Sequence, residues 1–164
     1  MIATIKQRLK DQKGLTLIEL LAVVVILAII AAIAIPAIGG LIDNTKKDAH
    51  IANAQQMVNS AKTAIASEKE LTKNSTIYLS MQYLEDKGYL EPVEDPDGTA
   101  SSGYAKGSSS AAVTTAPAAT TSYVEITKNA TTKSLTYKVN LVGSERKIAT
   151  SELKDIDRND VVAK

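Results

Sequence analysis

The chain has no cysteine, no tryptophan and no phenylalanine, and a single histidine among its 164 residues. Without cysteine, no disulfide staples the fold and no thiolate is there to attack a substrate or hold a soft metal. Six tyrosines are the whole aromatic content. A globular core must therefore be built from Ala, Val, Leu and Ile, and it must be small, because so much of the apolar content lies near the N-terminus. Small domains bury a lower share of their surface and are correspondingly marginal. The formal net charge of +1 gives no general attraction to nucleic acid or acidic ligands. No nucleophile–base pair, phosphate loop or metal-ligand cluster stands out in the sequence, so neither enzyme chemistry nor a cofactor is expected.

What is present is strongly polarised. Residues 1–14 carry Lys6, Arg8, Lys10 and Lys13 against Asp11 alone. From Leu15 to Ile35 the chain is apolar except for Glu19 and the neutral Thr16. About 20 such residues make a helix roughly 30 Å long, the thickness of a bilayer core. Basic residues on its N-terminal side place the leader in the cytoplasm and the C-terminal part outside. A secretory signal has a shorter apolar run of about 7–15 residues, ending in small residues. A plain anchor fits the length and leaves Glu19 unexplained.

Lys13-Gly14-Leu15-Thr16-Leu17-Ile18-Glu19-Leu20-Leu21 resembles the processing motif of type IV prepilins and type II secretion pseudopilins. The resemblance covers about residues 6–45. It implies that a prepilin peptidase cuts between Gly14 and Leu15 and methylates the new amine. Leu15, where most family members have Phe, becomes the first mature residue and Glu19 the fifth. Pro36 falls where many members carry a helix-kinking proline. The resemblance further implies a pilin fold, an assembly ATPase, a membrane platform protein, and a helical homopolymer drawn out of membrane lipid.

A carboxylate inside a membrane helix costs about 2.5–3.5 kcal/mol at the centre and less near the edge. About a dozen Leu, Ile and Val residues at roughly −0.5 kcal/mol each offset that cost. Glu19 is still expected to lack a partner until the freed amine of an adjacent subunit supplies one, which the resemblance implies. A buried ion pair fixes register better than it adds stability. Pro36 removes a helix hydrogen bond, and Gly39 and Gly40 lower helix propensity further. Together they predict a kink or a locally melted stretch between Ile33 and Gly40, inside a helix that continues.

Beyond Leu41 the pattern is helical to about Glu70. Ile38, Leu41, Ile42, Thr45, Ala49 and Ala52 form one stripe, continued after a drift by Met57, Val58, Ala61, Ala64, Ile65 and Glu68. The opposite face carries Asp43, Lys46, Lys47, Asn53, Asn59, Lys62 and Lys69. His50 reads as a solvent-facing or capping side chain, since one His without Cys makes a poor metal site. A short helix is predicted from about Ser80 to Lys87, with Ser80 as its cap and Gly88 as its stop. The acidic stretch from Glu91 to Gly98 lacks the spacing of a Ca²⁺ loop and reads as a turn. Residues 99–122, rich in Ser, Thr, Ala and Gly, read as a surface loop with Tyr104 and Val113 as possible strand anchors. Strands are predicted over Tyr123–Thr127, Leu135–Leu141 and Arg146–Thr150, with a hairpin turn over Lys128–Lys133 and a helical turn within Ser151–Asp157. The tail from Asp155 to Asp160 is expected to be exposed. Two Asn-x-Thr sequons, at Asn74 and Asn129, are assigned no role.

The expected architecture is α+β, a long N-terminal helix whose second half packs on a small antiparallel sheet. The domain plan is a leader over 1–14, a transmembrane and filament-core helix over 15–36, and an outer α+β domain over 37–164. The leading function is a type IV pilus subunit, a precursor in the cytoplasmic membrane and a mature surface filament serving adhesion, twitching or aggregation. The alternatives are a pseudopilin of a secretion or DNA-uptake apparatus and a non-polymerising membrane-anchored binding module.

Overall fold

A computed structural model of the chain describes residues 16–99, 102–108 and 114–164. The predicted cleavage pair Gly14-Leu15 and the strand anchor Val113 lie outside the described residues. Helix α1 runs Leu17–Ser67 without a break. It is followed by a 3-10 turn at Lys69–Lys73, strand β1 at Thr76–Ser80 and a short helix α2 at Met81–Asp86. Strands β2 (Tyr123–Lys128), β3 (Leu135–Val142) and β4 (Arg146–Glu152) come next. A 3-10 turn at Leu153–Asp155 leads to the last strand, β5 (Val161–Ala163). The five strands form one antiparallel sheet in chain order. The protein is thus α+β, helix first and sheet after, in the manner of a pilin.

The chain divides into two compact units, Met1–Ile42 and Asp43–Lys164. In the first, the apolar helix is exposed along its length: Leu17 is 88% and Ile33 72% accessible. An 18-residue window of this helix is apolar enough to cross a bilayer, and none of it is buried within the chain. The helix stays intact through Pro36, Gly39 and Gly40, so the expected melted stretch is absent. Proline withholds one N–H; the bonds on either side still hold the turn.

In the second unit, Ala54, Met57, Val58, Ala61, Ala64 and Ile65 of α1 cluster with Val124, Ile126, Val139, Leu141 and Ile148 of the sheet. The small alanines let the helix lie close to the strands. Burial of each large side chain contributes about 1.5–3 kcal/mol. The lower half of the predicted stripe is therefore correct. Its upper half is not, for Leu41, Ile42, Thr45 and Ala52 are exposed. The face that turns inward there holds Asp43, Lys46, His50 and Asn53, drawn in by charge rather than by oil.

Helix α2 begins as its sequence predicts: the Ser80 hydroxyl accepts a hydrogen bond from Tyr83 N at 3.0 Å. Gly88 closes it at φ +72°, a conformation that side-chain-bearing residues rarely adopt. Glu68, just past α1, accepts hydrogen bonds from both Tyr83 and Tyr89 hydroxyls at 3.0 Å. Burial, the Glu68 hydrogen bond and its negative charge push the Tyr83 phenol up to about 12. A raised folded-state value means this stabilisation is complete below the unfolded phenol's pKa of about 10 and is lost as pH rises towards 12. Alkaline titration followed by phenolate absorbance should show Tyr83→Phe losing less stability than the parent above pH 10.

The loop after α2 departs from expectation. Tyr104 is buried in the main cluster rather than resting on a surface. Ala105 N donates to Val142 O, and Ser122 N to Ala105 O. Asn140 Nδ2 donates to Ala119 O and Thr121 O. The described parts of 102–122 thus cover one end of β3, which is why its last four residues are all buried instead of alternating. The predicted 128–133 turn is present: Asn129 Oδ1 accepts from Thr131 N and Thr132 N, and Lys133 sits at φ 59°. The tail residues Asp155, Asp157, Arg158 and Asn159 are exposed, as read from the sequence. Strands β1 and β5 were not predicted.

Candidate functional site

The start of α1 is closed by its own side chains. Thr16 N and Thr16 Oγ1 both donate to Glu19 Oε2, at 2.7 and 2.8 Å. Glu19 N in turn donates to Thr16 Oγ1 at 3.3 Å. This reciprocal pairing is a capping box, and its Thr-x-x-Glu signature was legible in the sequence. Glu19 therefore does not wait unpartnered, as expected above. It satisfies two donors at the positive end of the helix, where a carboxylate is favoured. Further along, Gly39 and Gly40 face open space, and an added Cβ would meet nothing within 4 Å at either.

The second constellation lies where α1 meets the acidic loop. His50 is 1% exposed, which overturns its reading as a solvent-facing side chain. Its Nε2 lies 3.0 Å from Asp97 Oδ2 and 3.6 Å from Asp95 Oδ1. Its Nδ1 lies 2.8 Å from the Tyr104 hydroxyl, which receives a hydrogen bond from Asn53 Nδ2 at 2.9 Å. Asn53 also donates to Glu94 O. One proton arrangement satisfies every atom: Asn53 donates to Tyr104, Tyr104 to His50 Nδ1, and His50 Nε2–H to Asp97. Burial would raise the Asp97 carboxyl. The bonds from His50 and Lys46 and the charge of Arg146 outweigh it and hold Asp97 below the ordinary range.

The loop is shaped to bring these carboxylates inward. Asp95 accepts from Asp97 N through Oδ1, and from Ser144 N and Oγ through Oδ2. A Cβ on Gly143 would come 2.8 Å from Asp95 Oδ2, and one on Gly98 would come 2.5 Å from Ser102 O. Only glycine fits these two approaches. Lys46 Nζ meets Asp97 Oδ1 at 3.0 Å and Arg146 Nε meets Asp97 Oδ2 at 3.3 Å. Arg146 also bonds Asp43 Oδ1 at 2.6 Å.

His50, Asp95 and Asp97 place one ligand atom each within 4.8 Å of one another, close enough to consider a metal. The donor chemistry argues otherwise. Lys46 and Arg146 already pair with the Asp97 carboxylate, and a divalent ion added beside it would face both cations. The arrangement works as a polar clamp between helix and loop. Sequence reasoning missed it because Asp43, Lys46, His50 and Asn53 look like a solvated face. Their three- and four-residue spacing was the available signal, and the buried acids of the loop are its complement.

Residues 9–35 match a family model described as the prokaryotic N-terminal methylation motif. No curated protein matches the chain, and no solved structure matches it. The motif supports a prepilin- or pseudopilin-type family, and the long apolar N-terminal helix fits it. The methylation motif supports a type IV pilin or pseudopilin family member, a family that is structural rather than catalytic, and the apolar N-terminal helix suits membrane anchoring.

Proposed function

We propose that the protein is the structural subunit of a type IV surface filament used for adhesion, twitching or aggregation. The observation that carries this reading is the methylation motif laid over an apolar helix that buries none of its surface within the chain. Such a helix needs lipid first and other copies of itself afterwards. Prepilin peptidase removes residues 1–14 at Gly14, leaving Leu15 as an N-methylated first residue. An assembly ATPase and a platform protein then lift the subunit from the cytoplasmic membrane, with the domain that follows the helix outside. There the apolar helices exchange lipid for one another. Glu19 leaves its capping partner to meet the amine of the next subunit and sets the stagger. The Ser/Thr/Ala-rich loop in the domain that follows the helix favours a long surface fibre over a short secretion or DNA-uptake pseudopilus.

The test is the intact mass and N-terminal sequence of material sheared from cells. A chain that begins at methylated Leu15 and is enriched in the sheared fibres is the expected result. A native protein that retains Met1–Gly14 and stays out of the sheared fraction would overturn the reading. Intact fibres with failed protein secretion in cells lacking the gene would move the assignment to a pseudopilus.

A further inference from the structure

We infer that the unit Asp43–Lys164 binds an uncharged sugar ring in a cavity between β1 and the Ser/Thr/Ala-rich loop. The cavity measures about 370 Å³, within the span of about 300–1,000 Å³ common to small-molecule sites. Tyr78 and Ser80 of β1 line it together with Gly107, Thr115, Pro117 and Thr121. None of the described side chains around it is charged. It lies wholly within the second compact unit, so the inference stands apart from processing and assembly.

The fold holds both walls in place. On the strand side, the Tyr78 and Tyr123 rings meet at 78° with centroids 5.7 Å apart, and the Tyr123 hydroxyl lies 3.2 Å from Thr150 Oγ1. Ser80 Oγ donates to Ser108 O at 2.5 Å and pins the chain just past Gly107 to the end of β1. On the loop side, the buried Asn140 donates to Ala119 O and Thr121 O. Gly107 has φ +82°, and a Cβ there would come 2.5 Å from Thr121 Cγ2, so only bare backbone fits between the walls. A site whose walls are already ordered loses little further freedom when a ligand arrives.

The lining selects the guest. Its surface is mostly apolar, yet the hydroxyls of Tyr78, Thr115 and Thr121 have no hydrogen-bond partner among the described residues. A purely apolar guest would strip water from these hydroxyls and return nothing. A charged guest would lose its hydration and meet no opposite charge. A pyranose suits both parts of the lining. Its C–H face can lie against the tyrosine ring and the proline, while its hydroxyls donate to and accept from hydroxyls that do the same.

Saturation-transfer NMR and tyrosine fluorescence, on the full chain in a detergent without a sugar headgroup, test this whether or not the protein polymerises. The probes are glucose, galactose and N-acetylglucosamine, with glucuronate and glucosamine as charged rings and toluene as an apolar guest. At least one neutral sugar should saturate the protein in the millimolar range and bind about tenfold more tightly than either charged ring. Tyr78→Ala should weaken that binding by about tenfold or more, and Thr121→Val, which keeps the shape and removes the hydroxyl, by about fivefold. Tyr78→Phe keeps the ring beside Tyr123 and should fall between the parent and Tyr78→Ala, which covers the case of an alanine variant that does not fold. Saturable binding by none of the three neutral sugars overturns the inference. So does a charged ring or toluene that binds better than every neutral sugar, or sugar binding left unchanged by both Tyr78→Phe and Thr121→Val. Failure of filament assembly would touch none of these outcomes.

Discussion

Replacing Asp97 by Ala is expected to cost the globular unit about 1–3 kcal/mol, because it leaves the buried His50 Nε2–H without an acceptor and removes the carboxylate that Lys46 and Arg146 share. Lys46 loses its contact at 3.0 Å, Arg146 its contact at 3.3 Å, and His50 the acceptor for its Nε2–H. A loss of this size is a large part of the total stability of a small domain. Denaturant unfolding of the full chain in detergent, followed by tyrosine fluorescence, measures it. A loss under about 1 kcal/mol would show that the clamp is a surface decoration of the kind that contributes little. The pH dependence gives a second reading. Asp97 is held below its unfolded value, so its stabilisation is complete above the unfolded pKa of about 3.9 and is lost as pH falls through the folded one. The parent should lose stability through that acid window, and Asp97→Ala should have much less to lose there.

At the other end of the helix, Glu19→Gln is the informative change. Glutamine keeps the capping box, which accepts Glu or Gln at this position, but carries no charge. If pairing with a neighbouring amine sets the stagger, both Glu19→Gln and Glu19→Ala should insert into the membrane at least as well as the parent. Both should also be depleted from sheared filaments by about 100-fold or more, the equivalent of about 3–5 kcal/mol for a buried charge left alone. Quantitative immunodetection of membrane and sheared fractions reads both steps. Normal incorporation of the Gln variant with failure of the Ala variant would assign Glu19 to helix capping alone.

Both sites show where one-dimensional reasoning succeeds. The α+β order, α2 with its Ser80 cap and Gly88 stop, and strands β2 to β4 were legible because each rests on local chemistry. The apolar run and its Thr-x-x-Glu start are local too. What stayed hidden was non-local. His50 becomes interior only because residues 95–97 fold back on the helix 45 or more positions away. Strand β1 owes its place to β2, through pairs such as Leu79 with Val124, across a long connection. The three-residue β5 has too few positions to show a period and is defined by β4, where Ile148 faces Val161. The Ser/Thr/Ala segment lacks large apolar residues, yet its backbone covers β3 by hydrogen bonds that composition does not announce.

The inward polar face of α1 between Asp43 and Asn53 leaves the apolar side chains of the neighbouring turns unused by the domain. The clamp, set above the apolar core of residues 54–65, and the exposed apolar turns that precede it then answer to different solvents. Added salt screens the first at its exposed Asp48–Arg158 pair, while detergent competes for the second.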